Sequence, residues 1–263
     1  TVYGDSIVWQ DNRNTYKDKD GKQKHHWDIY MYDITAGTQT RITTDTHDQV
    51  NPAIYDSKVV WQDKRNNNQW DIYMYDLATK KETRVTTDGH AQMHPAIDGN
   101  VILWQDKRNN NQWDIYMYDL NQKKEVRLTT DPSHEADPSV SGNRIVWEDR
   151  RHGNPCVYMY DITTKTEKRL TTGGNKQIHP AIQGDHVIWY SEGRTSVPPV
   201  YVAPPAGPHG GRWLTYFHDV STGTTMLPYH NLLTHEYSSF RQETDGRYYG
   251  SLVNYGKQDR AVG

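Results

Sequence analysis

Apolar and polar residues alternate along this chain with a period of two, in short runs broken by polar turns. The run DIYMYD at 71–76 is typical, and it returns unchanged at 28–33 and 114–119. A period of two is the pattern of half-buried β-strands, and no 3.6-residue period appears, which disfavours a helical solenoid. The surrounding text repeats as well. Residues 59–76 read VVWQDKRNNNQWDIYMYD, residues 102–119 read ILWQDKRNNNQWDIYMYD, and looser copies are WQDNRN at 9–14 and WEDRR at 147–151. Trp9, Trp61, Trp104, Trp147 and Trp189 head these runs at intervals of 52, 43, 43 and 42 residues. Each copy closes on a basic-apolar-Thr-Thr tail (Arg41 to Thr44, Arg84 to Thr87, Arg127 to Thr130, Arg169 to Thr172). A polar loop follows, then Asn51-Pro52-Ala53, His94-Pro95-Ala96, Asp137-Pro138-Ser139 or His179-Pro180-Ala181.

Each unit parses into four strands. Strand A is the Pro-Ala-Ile segment; a tight turn such as Asp98-Gly99-Asn100 leads into strand B around the tryptophan; strand C is the DIYMYD run; strand D precedes the Thr-Thr tail. Four strands in a unit of about 43 residues predict an all-β fold, a β-propeller of five four-stranded blades. The repeats divide a single domain, 1–263, at approximately 1–50, 51–93, 94–136, 137–178 and 179–235, with a closing strand within 236–263. The first unit lacks most of strand A, and Ser238 to Gln242 is expected to supply it, because an open ring leaves unpaired edges.

The DIYMYD runs, the Arg-x-Thr-Thr tails and the Pro-Ala steps resemble the blade text of TolB-type propellers over about residues 1–235. The Trp-Gln-Asp-x-Arg-Asn variant is similar to repeats of secreted and surface-layer proteins of archaea and bacteria. The resemblance implies the propeller fold and an exported location: extracellular, cell surface or periplasm.

Composition narrows the function. Only 34% of residues are hydrophobic, and the aromatic supply is 19 Tyr and 9 Trp against 2 Phe, which suits strands whose rings pack while their polar edges find partners. The charges interleave to a net −3 without a basic block, so nucleic acid is not an expected partner. No apolar run approaches the length of a membrane span. The single cysteine, Cys156, cannot form an intrachain disulfide. A chain that starts at Thr1 fits a mature form or a fragment of a larger surface protein.

Propeller topology puts the D–A and B–C loops on one face. The two long insertions, around Tyr16 to Lys24 and Arg194 to Gly211, both fall in B–C loops, so that face is the expected working surface. Asn51, His94, Asp137 and His179 share one repeat position at the head of strand A and are expected to ring the channel mouth; they are the central ligand-binding candidates. His90 and His134, with His47, are read as corresponding D–A loop residues, and Trp70 and Trp113 as a stacking platform nearby. A local alternative is that the Asx/His-Pro residues satisfy backbone groups where the inner strand begins. The Asp-x-Arg pairs, such as Asp63 with Arg65, are expected to bridge neighbouring blades, and the five repeating tryptophans to pack between them.

The motifs of serine hydrolases, zinc proteases and phosphate loops are absent. Glu135, Glu148 and Glu192 are not duplicated across the repeats, so a catalytic acid is open to any of them. Asp18-Lys19-Asp20-Gly21 has only part of a calcium loop. No cofactor or metal is assigned, although two imidazoles and a carboxylate leave a divalent ion open. The expected function is a non-catalytic module binding a glycan or protein ligand. The alternatives are a carbohydrate-active enzyme, lyase or glycosidase, and a structural module of a surface-layer assembly.

Overall fold

The computed structural model describes residues 1–172, 174–192, 213–226, 236–242 and 248–254. No helix occurs among them; they form five four-stranded antiparallel sheets and two short hairpins. The second sheet shows the plan. Strands A (Gln49–Tyr55), B (Lys58–Asn66), C (Gln69–Asp76) and D (Lys81–Arg84) follow one another across the sheet, each bonded to the next. The third (Gln92–Arg127), fourth (Glu135–Arg169) and fifth (Gln177–Met226) sheets repeat that order.

Strands B and C of the second to fourth sheets are buried on both faces, because each of these sheets is stacked between two others. Val59 and Trp61 face backwards to Val8 and Ile29 of the first sheet, while Val60 and Ile72 face forwards to Ile97, Ile102 and Trp104 of the third. The next two seams copy this arrangement: Leu103 and Ile115 meet Trp147, then Val146 and Val157 meet Trp189. Trp61, Trp104, Trp147 and Trp189 therefore pack between sheets as expected, the first three essentially solvent-free, whereas Trp9 of the first sheet is half-buried and stacks on Tyr30 of its own sheet. The indole N–H of Trp9, Trp61, Trp104 and Trp147 is satisfied within its strand by the aspartate two residues on, for example Trp61 Nε1 to Asp63 at 3.0 Å.

The Thr-Thr tails have a structural cause. Just beyond strand D one backbone bond still reaches strand C, from the N–H of Ile42, Val85, Leu128 or Leu170 to the carbonyl of Ile29, Ile72, Ile115 or Val157, and the first threonine hydroxyl takes the N–H of that same strand C residue. Thr43, Thr86, Thr129 and Thr171 accept the N–H groups of Ile29, Ile72, Ile115 and Val157 at 2.8–2.9 Å. Without them these buried N–H groups would be orphaned, at a cost of about 1–3 kcal/mol each.

Three expectations need correcting. Strand B runs on to Asn66, and the B–C connection is only Asn67-Asn68, both at positive φ (52° and 59°), the two-residue turn that right-handed strand twist favours. The Asp-x-Arg pairs do not bridge neighbours: Arg65 binds Asp63 at 2.6 Å and Glu82 of its own strand D at 2.6 Å, and lies over the Tyr73 ring. Arg108 and Arg151 repeat this clamp within the third and fourth sheets. The inner edge of the first sheet is a two-residue strand, Val2–Tyr3, from its own amino terminus, while Glu236–Gln242 pairs with Tyr248–Asn254 in a separate hairpin. Of the two insertions, the first forms a hairpin, Thr15–Lys17 with Gln23–His25, whose turn is capped by Asp18 accepting the N–H groups of Asp20 and Lys22. The second lies outside the described residues.

Candidate functional site

Strands A of the second to fifth sheets stand side by side and line a cavity of about 530 Å³ with the first residues of the chain. Every strand A breaks register with strand B at one place, between Val50 and Ala53, Met93 and Ala96, Ala136 and Ser139, and Ile178 and Ala181. The residues in those bulges are Asn51, His94, Asp137 and His179, each followed by proline. Proline fits there because a bulge leaves an N–H without a ladder partner.

All four bulge residues hold left-handed backbone, with φ of 53°, 55°, 50° and 51°. Asn, Asp and His are the non-glycine types that tolerate this region best. Backbone geometry thus explains why this position is polar in every copy. It does not explain which of the three types each sheet carries.

The expected ring forms: all four residues line the cavity. Asp137 sits at its centre of charge. His94 Nδ1 lies 2.6 Å from one carboxylate oxygen and His179 Nδ1 donates to the other at 2.8 Å. Burial alone would raise the Asp137 pKa, but the two imidazoles outweigh it and hold it below the usual carboxylate range. Asn51 turns its amide Nδ2 to Gln62 Oε1 at 3.0 Å.

Beneath the ring lies a second tier that the sequence reading overlooked. The residue after the tryptophan is Gln10, Gln62 or Gln105 in the first three sheets, and its side-chain oxygen accepts the bulge N–H of the next sheet: Asn51, His94 or Asp137, at 2.8–3.1 Å. In the fourth sheet this residue is Glu148. It is buried, which raises its pKa; Arg150, 3.0 Å away, opposes the rise and Asp137 adds to it. A polar residue repeated in the middle of a doubly buried strand was the available signal.

The other candidates stand apart from the cavity. His90 is exposed in the D–A loop and turned to Asp88 at 2.5 Å, as His47 is to Asp45. His134 does not correspond to them: Ser133 holds that place, and His134 matches Asp48, both accepting a strand C N–H, from Trp113 and Trp27 respectively. Trp70 and Trp113 do not line the cavity, and each is covered by a lysine ammonium, Lys64 at 5.2 Å and Lys107 at 5.4 Å from the ring centre. Among the described residues, no group of three or more His, Cys, Asp or Glu is arranged to hold a metal ion.

No family model and no curated protein matches the chain. Solved structures do. TolB from Acinetobacter baumannii superposes with a TM-score of 0.57 at 21% identity, over 82% of this chain and 52% of that one. A protein assigned as TolB from Agrobacterium tumefaciens gives 0.60 at 17% identity, over 84% and 87%. A puromycin-hydrolyzing peptidase from Mycobacterium tuberculosis gives 0.61 at 13%, over 94% of this chain but 42% of the peptidase. The chain thus spans about half or less of two of these proteins. The likeness shows the fold, an all-β TolB-like propeller.

Proposed function

We propose that this chain is a non-catalytic binding module that works outside the cytoplasm, extracellular, on the cell surface or in the periplasm, and holds a protein or glycan ligand at the channel mouth. The observation that carries this reading is the convergence of Asn51, His94, Asp137 and His179, from four sheets, on one 530 Å³ cavity. Concave sites with a few convergent polar groups are the usual form of a ligand site. The test is the double variant His94→Ala, His179→Ala, assayed on peptide and glycan arrays beside the parent. A folded variant that loses the parent's binding supports the site. Undiminished binding would move it elsewhere on the loop face.

A specific observation keeps the carbohydrate-active enzyme as a second reading. Asp137 and Glu148 are carboxyls near one another with pKa values displaced in opposite directions, the pattern of an acid–base pair. Turnover of an arrayed glycan, abolished by Glu148→Gln, would establish it; binding without turnover is the expected result.

The architecture we propose is a single ring of five blades, divided as the repeats divide, and closed by the C-terminal segment. Exposure at the ends supports closure. Ile188 of the fifth sheet is 45% exposed where Val8, Val60, Leu103 and Val146 are fully buried. Ile7 of the first is 38% exposed where Val59, Ile102, Ile145 and Val187 are fully buried. A chain ending at Asn231 should melt earlier and self-associate through these faces. An unchanged Tm in a monomer would overturn closure.

A further inference from the structure

If the cavity is the ligand site, as proposed above, its hydrogen-bond inventory restricts what can enter. The bulge N–H groups of Asn51, His94 and Asp137 are spent on Gln10, Gln62 and Gln105. The neighbouring Pro52, Pro95, Pro138 and Pro180 have none. One of the two Asn51 amide N–H groups is spent on Gln62. The amino terminus of Thr1 is engaged by the carbonyl of Val8, and its hydroxyl by the carbonyl of Pro52.

The imidazoles follow the same rule. An Nδ1 placed 2.6–2.8 Å from a carboxylate oxygen must carry the proton, since two lone pairs would repel at that distance. In the neutral ring Nε2 is then a bare acceptor. Asn51 likewise has its Oδ1 left over. The donors left over include the Ser139 hydroxyl, which accepts the N–H of Ile182, the second Asn51 amide hydrogen and the remaining hydrogens of the Thr1 ammonium. The mouth therefore presents several acceptors centred on a carboxylate.

We infer that the cavity takes a primary ammonium group, the amino terminus of a peptide or a lysine side chain. An ammonium brings three donors and a positive charge, matching His94 Nε2, His179 Nε2, Asn51 Oδ1 and the Asp137 charge. A phosphate or carboxylate meets the Asp137 charge and the bare imidazole nitrogens. A neutral sugar can fill the acceptors but gains nothing from the charge. The charged groups in reach are Asp137, Glu148, Arg150 and the Thr1 ammonium; Arg150 is already paired with Glu148, and the ammonium donates to the Val8 carbonyl.

The experiment is imidazole ¹⁵N NMR on the full chain at neutral pH, with His94→Gln and His179→Gln used for assignment. In the free protein the neutral form of each ring should carry its proton on Nδ1 and leave Nε2 bare. Four probes are then added separately: tri-alanine with a free amino terminus, its N-acetylated form, Nα-acetyl-lysine amide and inorganic phosphate. A neutral trisaccharide serves as a fifth. Tri-alanine, the lysine derivative or both should move the two rings, and which one does so identifies the source of the ammonium. The acetylated peptide and phosphate should not. Asp137→Asn keeps a residue suited to left-handed backbone, and should weaken amine binding by on the order of tenfold or more, the scale of losing a close charge pair.

Rings protonated on Nε2, or binding of phosphate or the trisaccharide without the amines, would overturn the ammonium inference while leaving the site standing. If no probe moves either ring, the inference falls and the site reading falls with it.

Discussion

In the third sheet Gln92, Gln105, Asn109 and Asp114 occupy the places that Glu135, Glu148, His152 and Cys156 occupy in the fourth. The backbones of the two sheets pair alike as far as Asp106–Asp114 and Asp149–Cys156, beyond which the third alone pairs on to Asn109–Gln112; the seams on either side are packed alike, and the tyrosine of strand C is bonded in both, by Asn109 to Tyr116 and by His152 to Tyr158. Four polar positions have changed their chemistry inside an unchanged frame. Tryptophan, threonine and the arginine clamp hold the frame. The changed positions give the fourth sheet two carboxyls in place of amides and a thiol in place of the Asp114 carboxyl, and this is also the sheet that contributes Asp137 to the cavity.

The strongest challenge to this division is to remove a frame residue from each sheet. Trp104→Ala and Trp147→Ala should each cost about 3–5 kcal/mol in denaturant melts, because both rings are fully buried at equivalent seams. A difference much larger than the error between them would mean that the two frames are not equivalent.

The next test separates the sheets. Glu135 has no cation beside it; burial pushes its pKa up to about 8, with Asp149 and Asp114 adding repulsion and Ser133 opposing. Its folded-state pKa exceeds the unfolded one, so the native state holds the proton more tightly. Stability should therefore fall as pH rises from about 4.5 to about 8, by on the order of 2–4 kcal/mol. Glu135→Gln, which installs the residue of the third sheet, should flatten that slope, read as Tm against pH. A slope that survives the substitution would place its origin elsewhere.

Smaller still is the arginine clamp. Arg108→Ala and Arg151→Ala each strand a fully buried aspartate that keeps only its indole and backbone donors, so about 2–3 kcal/mol is expected from either. A value well under 1 kcal/mol would return these pairs to the class of surface ion pairs. The smallest effect concerns Cys156, which faces Arg169 at 3.0 Å where the third sheet sets Asp114 against Arg127. Burial pushes the thiol pKa up, more than Arg169 pulls it down. The native protein should react with a thiol reagent only as fast as it opens, and Cys156→Asp should change stability by about 1 kcal/mol or less. Rapid native labelling would contradict the burial.

The frame was largely legible from residue spacing, because tryptophan and the Pro-Ala step recur at fixed intervals and a repeat position maps directly onto a place in a sheet. The ring of Asn51, His94, Asp137 and His179 was legible for the same reason. What escaped was contact between side chains. Nothing in the spacing says that Arg65 reaches Glu82 in its own sheet, or that Gln62 serves the backbone of the next sheet. His134 was misplaced because it was matched to His90 by residue type, whereas counting back from Glu135 and Gln92 puts Ser133 opposite His90. Trp70 and Trp113 looked available until their lysines were in view.

The left-handed bulge ahead of each proline has a practical corollary for anyone wishing to redesign this pocket. Only a few residue types sit comfortably at such a φ, so each of the four mouth positions accepts a short alphabet: an amide, an acid, an imidazole or, with glycine, a blank. Within that alphabet the letters can be exchanged without asking the scaffold to move. Rewriting Asn51, His94, Asp137 and His179 one letter at a time would produce a graded series of mouths, from anionic to cationic once the imidazoles are protonated, all on one backbone.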